Sequence, residues 1–192
     1  VYTVDEFFSQ IKIFPVTPQL IYRTECIRPQ QLQFNPNVKS GEVLDFTFSV
    51  MAFANTIKVI STPFYNYFMR ASSATHAPNC TADLTSLLLV EHVRHIQQAW
   101  AQTPACLFTT YKMVNAFTYN KYLRLHVSTH DVIETLNTLL HTDAYRHLLL
   151  DVAQSSQTPL IERLFIAYQL LMPTRFGYRL LNGINRIIPF IR

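Results

Sequence analysis

Glycine is scarce, with 3 in 192 residues, and that scarcity excludes several classes of protein. Loops that cradle phosphates of the Walker or dinucleotide type need clustered glycines, and no such motif is present. A turn-rich all-β fold also draws on residues that reach positive φ at low cost, so the same count argues against one. Charge is sparse as well. Charged residues make up 15% of the chain, against about 25% in an average soluble domain. A surface with so few charges tends to be covered, which points to an obligate interface or a membrane contact.

Cysteine contributes 3 scattered residues, Cys26, Cys80 and Cys106. They form no Cys-x-x-Cys pair, and an odd number makes a poor disulfide framework, so a reducing compartment is expected. Serine-hydrolase motifs are absent. A continuous membrane-spanning run is absent too. The most apolar stretch, 43–69, holds only 12 uncharged residues between Asp45 and Lys58, and Pro63 follows. A spanning helix needs about 20 apolar residues, so a buried strand or an interfacial segment is expected there.

Acid is missing from the end of the chain. After Glu162 there is none, while Arg163, Arg175, Arg179, Arg186 and Arg192 supply five positive charges, more than the net +4 of the whole sequence. This basic end carries the clearest helix signals. Thr158 is an N-cap candidate, Pro159 suits the first helical position and Glu162 suits the first turn. Leu160, Ile161, Leu164, Phe165, Tyr168, Leu171 and Met172 follow at helical spacing. Pro173 ends that helix and Thr174 caps the next. In the last helix Phe176, Leu180, Leu181, Ile184, Ile187 and Ile188 form an apolar face, with arginines on the other side. Such a helix can lie on an anionic membrane, dock in a partner's groove or meet phosphates. The plainer expectation packs its apolar face on its own domain and leaves the arginines in water.

The chain otherwise divides at a small polar stretch, 71–79. Residues 1–78 read as an extended, apolar segment with a short helix and some strands; residues 79–192 read as a helical domain ending in the basic amphipathic helix. Thr3 and Glu6 make a capping box for a helix over 4–13. Prolines 15, 18, 29 and 36 mark an extended arm, with a short strand over 20–27. Leu44, Phe46, Phe48 and Val50 alternate with polar residues at the period of a half-buried strand, although the same letters tolerate a helix. Thr81 or Asp83 opens a long helix to about residue 102, and Thr103-Pro104 starts another over 105–120. Leu123, Leu125 and Val127 alternate like a short strand. Ser128 with Asp131, and Thr142 or Asp143, open two further amphipathic helices. The fold expected is mainly α, a helical bundle or array of short helices, with a small antiparallel β element in the N-terminal third; α+β is the alternative.

Candidate chemistry is thin. Glu91, His92 and His95 share a helix face, and imidazole with carboxylate can hold zinc or iron. The spacing matches no metalloprotease or di-iron motif, because Arg94 stands where the di-iron histidine belongs, and a solvated face explains it as well. His130-Asp131 is better used with Asp131 as a first-turn acid. Cys106 lacks a local partner and reads as a small core residue. Tyr111-Lys112, Tyr119, Lys121-Tyr122 and Arg124 interleave rings with bases in the manner of a single-strand clamp, at a basic density low for nucleic-acid binding.

The expected function is therefore non-catalytic, without a cofactor: a structural or assembly subunit of a membrane-associated multiprotein complex. Its partners would be other protein subunits and an anionic membrane surface, met by Arg175, Arg179, Arg186 and Arg192. An RNA-binding or ribosome-associated protein and a metal-dependent helical enzyme are the alternatives. The chain starts at Val1 and is basic, which fits removal of a mitochondrial presequence, so an intracellular location at the mitochondrial inner membrane or matrix is the expectation.

Overall fold

The computed structural model describes residues 1–10, 20–60, 62, 78–171 and 174–187, with the side chains of residues 9, 10, 186 and 187 outside that description. The chain begins with the capping box that the sequence announces. The Glu6 carboxylate accepts from the Thr3 amide at 2.8 Å, and the Thr3 hydroxyl accepts from the Glu6 amide at 3.2 Å. Helix α1, Val4–Gln10, starts there. Just ahead of it, strand β1 (Tyr2–Thr3) pairs antiparallel with β2 (Thr56–Ile57), Tyr2 opposite Ile57. This two-residue ladder is the β element expected in the N-terminal third.

Residues 20–27 do not form a strand. They run without regular structure into a short 3-10 turn, Thr24–Cys26. The arm then lies across α2 (Glu42–Met51). Phe34 stacks on Phe46 at 4.4 Å, Tyr22 meets Phe46 edge-on at 5.6 Å, and the Tyr22 and Thr47 hydroxyls bond at 2.7 Å. That covering explains why the strand reading of 44–50 fails. Leu44, Phe48 and Met51 face the main core, while Phe46 is covered by the arm. A helix buried on two sides loses the single apolar stripe that would have marked its period.

Helix α2 opens at Gly41, which sits in the left-handed region at φ +90. A Cβ there would stand 2.5 Å from the Leu89 Cδ1 atom. The position thus needs glycine for both its backbone and its space.

The long helix expected over 81–102 is divided. Helix α3, Cys80–Leu84, is capped by the Asn79 side chain, which accepts from the Ala82 amide. Around Thr85 and Ser86 the amides bond three residues back, to Ala82 and Asp83, which tightens the chain. Helix α4 follows at Leu87–His95 and ends where Ile96 turns extended. Asp83 is not the first residue of the helix but lies within α3, buried, with its carboxylate reaching back to the amide of the capping residue Asn79. Lys121 Nζ donates to both its carboxylate oxygens at 2.8 and 3.0 Å. The Tyr122 hydroxyl donates at 3.0 Å, the Asn79 amide at 3.1 Å and the Ser40 hydroxyl at 3.3 Å. Both ions are about 1% exposed.

Thr103 accepts from the Cys106 amide and Pro104 occupies the first turn of α5, Pro104–Phe117, as its sequence indicates. Helix α6, Tyr119–Arg124, replaces the strand expected around Leu123. It turns because Tyr119, Lys121, Tyr122 and Leu123 are all buried, the lysine by its ion pair. Thr129, one residue later than expected, caps α7 (His130–His141). Helix α8 is Asp143–Gln154, α9 is Leu160–Leu171 and α10 is Thr174–Ile187. The Thr158 hydroxyl does not cap α9; it donates back to the Val152 carbonyl at 2.6 Å.

Helices α5 and α8 pack together at the centre, with α4 against both, α9 on α8, and α10 on α7 and α6. Val4, Phe7, Phe8, Leu44 and Phe48 share one hydrophobic cluster with Leu89, Trp100, Val114, Leu136, Leu148 and Ile166. The Phe8 ring stacks on Trp100 at 5.2 Å and 8°. Among the described residues no helix is long and apolar enough to cross a membrane.

Two substitutions test this account. Lys121→Met strands the Asp83 charge in the core and should cost about 3–5 kcal/mol in urea unfolding; a loss under about 1 kcal/mol would show that the pair is unimportant. Gly41→Ala combines a left-handed penalty with overpacking and should cost about 2–4 kcal/mol by the same measurement.

Candidate docking face on the terminal helices

Helix α6 stops at Arg124, and the chain reverses through Leu125 and His126, whose φ is +54. A helix end leaves carbonyls without intrahelical partners, and in a buried place something must donate to them. The amides of the turn meet most of this need, His126 donating to the Leu123 carbonyl and Val127 to the Tyr122 carbonyl, both at 3.1 Å, and helix α10 adds two side-chain donors. Asn185 Nδ2 donates to the Leu123 carbonyl at 3.1 Å, and the Tyr178 hydroxyl donates to the Val127 carbonyl at 2.5 Å. The Tyr178 ring meets Tyr119 edge-on at 5.5 Å. Thr174, Tyr178, Asn182 and Asn185 are consequently all buried.

At about 100° per residue, placing these four inward fixes what faces outward. Arg175 and Arg179 come next around the helix, both exposed. Gly183 is exposed with nothing within 4 Å of where its Cβ would be. Beyond it stand Phe176, Leu180 and Ile184, exposed at 61%, 43% and 42%. The expectation that α10 packs its apolar face on its own domain holds for Leu181, which lies against the core, and fails for Phe176, Leu180 and Ile184, which face outward; the side chains of Ile187 and Ile188 lie outside the described part.

Helix α9 packs Ile166, Phe165 and Leu170 on the core and also buries a polar side chain. Its Gln169 is buried and donates to Asn115 Oδ1 at 3.0 Å; Asn115 in turn donates to the Tyr145 hydroxyl at 2.8 Å and the Tyr111 carbonyl at 3.0 Å. Glu162 accepts from Lys112 Nζ at 2.6 Å and from the Tyr111 hydroxyl at 3.0 Å. Leu160, Ile161, Leu164 and Leu171 are left exposed, Leu171 at 81%. The Tyr168 hydroxyl donates to the Gly177 carbonyl at 2.8 Å and ties the two helices together.

Of the arginines marked in the sequence, Arg175 and Arg179 therefore flank an exposed apolar stripe. Neither has an ion-pair partner among the described residues. Arg186 lies on α10 with its side chain outside the described part, and Arg192 lies outside the described residues. Arg163 is engaged, donating to the Thr158 and Ser156 carbonyls.

The other candidates fall elsewhere. Glu91, His92 and His95 line an open depression together with Asp45, Gln33 and Asn35. His92 Nδ1 donates to Asp45 Oδ1 at 2.6 Å, and His95 Nδ1 donates to the Glu91 carbonyl at 2.6 Å. Among the described residues no group of three or more metal-ligating side chains is placed to hold an ion. Arg94 leaves that face and pairs with Asp151 at 3.0 Å. Cys106 is buried, and burial pushes its thiol well above the ordinary cysteine range, far from a reactive thiolate. The rings of the supposed nucleic-acid clamp, Tyr111, Tyr119 and Tyr122, are in the core, where burial raises their hydroxyls far above the usual range. They cannot stack on bases. The Asp45–His92 pair went unnoticed in the sequence because 47 positions separate the two residues.

No protein-family model, curated protein or solved structure matches the chain.

The orientation of α10 can be tested on the isolated chain. Leu180→Gln with Ile184→Gln should change unfolding free energy by no more than about 0.5 kcal/mol, as surface changes do. Asn185→Leu removes one of two donors to the Leu123 carbonyl, which keeps the His126 amide, and should cost about 1 kcal/mol. The reverse ranking would place the apolar face inward.

Proposed function

We propose that this protein is a non-catalytic structural or assembly subunit of a larger, membrane-associated complex, held there by the outer faces of α9 and α10. The observation that carries this reading is the set of large apolar side chains that the two helices leave exposed, although Ile166, Phe165, Leu170 and Leu181 on the same helices pack on the core. Two helices side by side leave Leu160, Ile161, Leu164, Leu171, Phe176, Leu180 and Ile184 in water, far more than scattered surface leucines amount to. Obligate interfaces carry apolar surface of this kind. The low charge of the chain supports the same conclusion.

The α9 stripe bears no basic residue: its only charged side chains, Glu162 and Arg163, are turned to Lys112, Tyr111 and local carbonyls. It suits an apolar surface of another protein subunit. The compartment proposed is the mitochondrion, on the strength of the basic balance. Among the groups considered for catalysis, Cys106 lies in the core and His92 bonds to Asp45.

Native gel filtration of a mild-detergent extract tests the reading. The chain should elute with fixed companions, far above its own 22.3 kDa. Leu160→Gln with Leu164→Gln should release it from them. Elution as a monomer in the same extract would refute the proposal.

A further inference from the structure

The stripe on α10 differs from that on α9, because arginines border it. We propose that α10 lies flat on an anionic lipid surface, its Phe176, Leu180 and Ile184 in the acyl boundary and Arg175 and Arg179 at the headgroup phosphates. This assignment deepens the assembly reading by naming what covers one of its two faces.

Three observations carry it. The first is charge. No acid follows Glu162, so nothing on α10 opposes an anionic partner, and Arg175 and Arg179 are exposed without an ion-pair partner among the described residues. The second is the order of side chains around the helix. An interfacial helix ordinarily gives its polar face to water and its apolar face to lipid, with basic residues at the boundary. Here the body of the protein takes the place of water: Tyr178 and Asn185 bond to the Val127 and Leu123 carbonyls, and the arginines stand between that buried face and the apolar stripe. Their aliphatic stems can run along the apolar surface while the guanidinium groups reach phosphates. The third is reach. The described α10, 14 residues long, is shorter than the roughly 20 residues a spanning helix needs, a length that suits lying in the plane of the surface.

Nucleic acid fits less well, since a phosphate backbone gains nothing from Leu180 and Ile184 and only Phe176 could stack. A preformed protein groove would have to answer the arginines with acid beside an apolar floor, and it would fit closely around Gly183. A lipid surface accepts a larger apolar side chain at that place. Gly183 has open space about it, so this difference can be measured.

The test is sedimentation of the purified full chain with vesicles of phosphatidylcholine, with or without phosphatidylglycerol. Binding is expected with the anionic vesicles and is expected to weaken as salt rises. Arg175→Gln with Arg179→Gln should lower the partition coefficient about thirtyfold, from about one kcal/mol per basic residue at an anionic surface. Leu180→Gln with Ile184→Gln should lower it about tenfold or more. Gly183→Leu should strengthen binding. All these positions are exposed, and an unchanged far-UV circular dichroism spectrum confirms folding. Equal pelleting with neutral and anionic vesicles, or no pelleting, overturns the assignment. So does RNA binding that ignores Leu180→Gln. If Gly183→Leu instead expels the chain from its complex and vesicles do not bind, the α10 occupant is a protein. The lipid assignment then fails while the assembly reading stands, because that reading is judged by native size alone.

Discussion

A buried charge sets the geometry of the helical part of this molecule. Asp83 has no access to water, and a carboxylate in that position persists only when its oxygens are fully met. Lys121, Tyr122, Ser40 and the Asn79 amide meet them. The network joins the arm before α2, the start of α3 and the middle of α6. Just after Asp83 the helix tightens, with the Thr85 and Ser86 amides bonding three residues back. The network also draws the short α6 inside, lysine included. Where α6 ends, the amides of Leu125, His126 and Val127 meet its last carbonyls, and α10 adds Asn185 on the Leu123 carbonyl and Tyr178 on the Val127 carbonyl beyond it. The exposed side of α10 is the one opposite these two bonds. Burying the apolar face instead would leave the carbonyls of Leu123 and Val127 without these donors.

The N-terminal part depends on a different constraint, aromatic packing. Phe8 on Trp100 and Phe34 on Phe46 hold α1 and the arm to the helices. Gly41 lets the chain pass Leu89 closely enough for α2 to join the same core. Glu6 adds a local element. Its hydrogen bonds with the Thr3 amide and hydroxyl hold its carboxyl below the ordinary glutamate value. That contribution to α1 is present above the ordinary value and is lost as pH falls through the lowered one.

How much of this could be read from the letters depends on how local each cause is. Thr3 with Glu6, and Thr103 with Pro104, announce helix starts through bonds spanning three residues, and both were legible. The amphipathic α7 and α8 were legible because each buries one stripe, Leu136 and Leu139 in one and Leu148 and Val152 in the other. Helix α2 imitated a strand because the arm covers its second side with Phe34 and Tyr22, and residues so far back leave no trace in the pattern of 44–50. The alternation at 123–127 misled because Lys121 looks solvent-facing unless its partner, 38 positions away, is known. The same blindness affected the docking face. Sequence reasoning found the apolar and basic stripes of α10 and named Arg175 and Arg179, but it could not see that Asn182, Asn185 and Tyr178 compete for the interior and win. Tyr178 and Asn185 bond to carbonyls 51 and 62 positions earlier, a separation that no local pattern reveals.

The central claim is that the isolated chain keeps the apolar side of α10 in water. Methyl resonances read with a soluble paramagnetic agent address it most directly. The account predicts that Leu180 and Ile184 broaden as strongly as Leu160 and Ile161, while Leu136 and Leu139 stay sharp. Protection of Leu180 and Ile184 to the level of Leu136 and Leu139 would contradict it, and would return the helix to ordinary packing with its apolar face on the core.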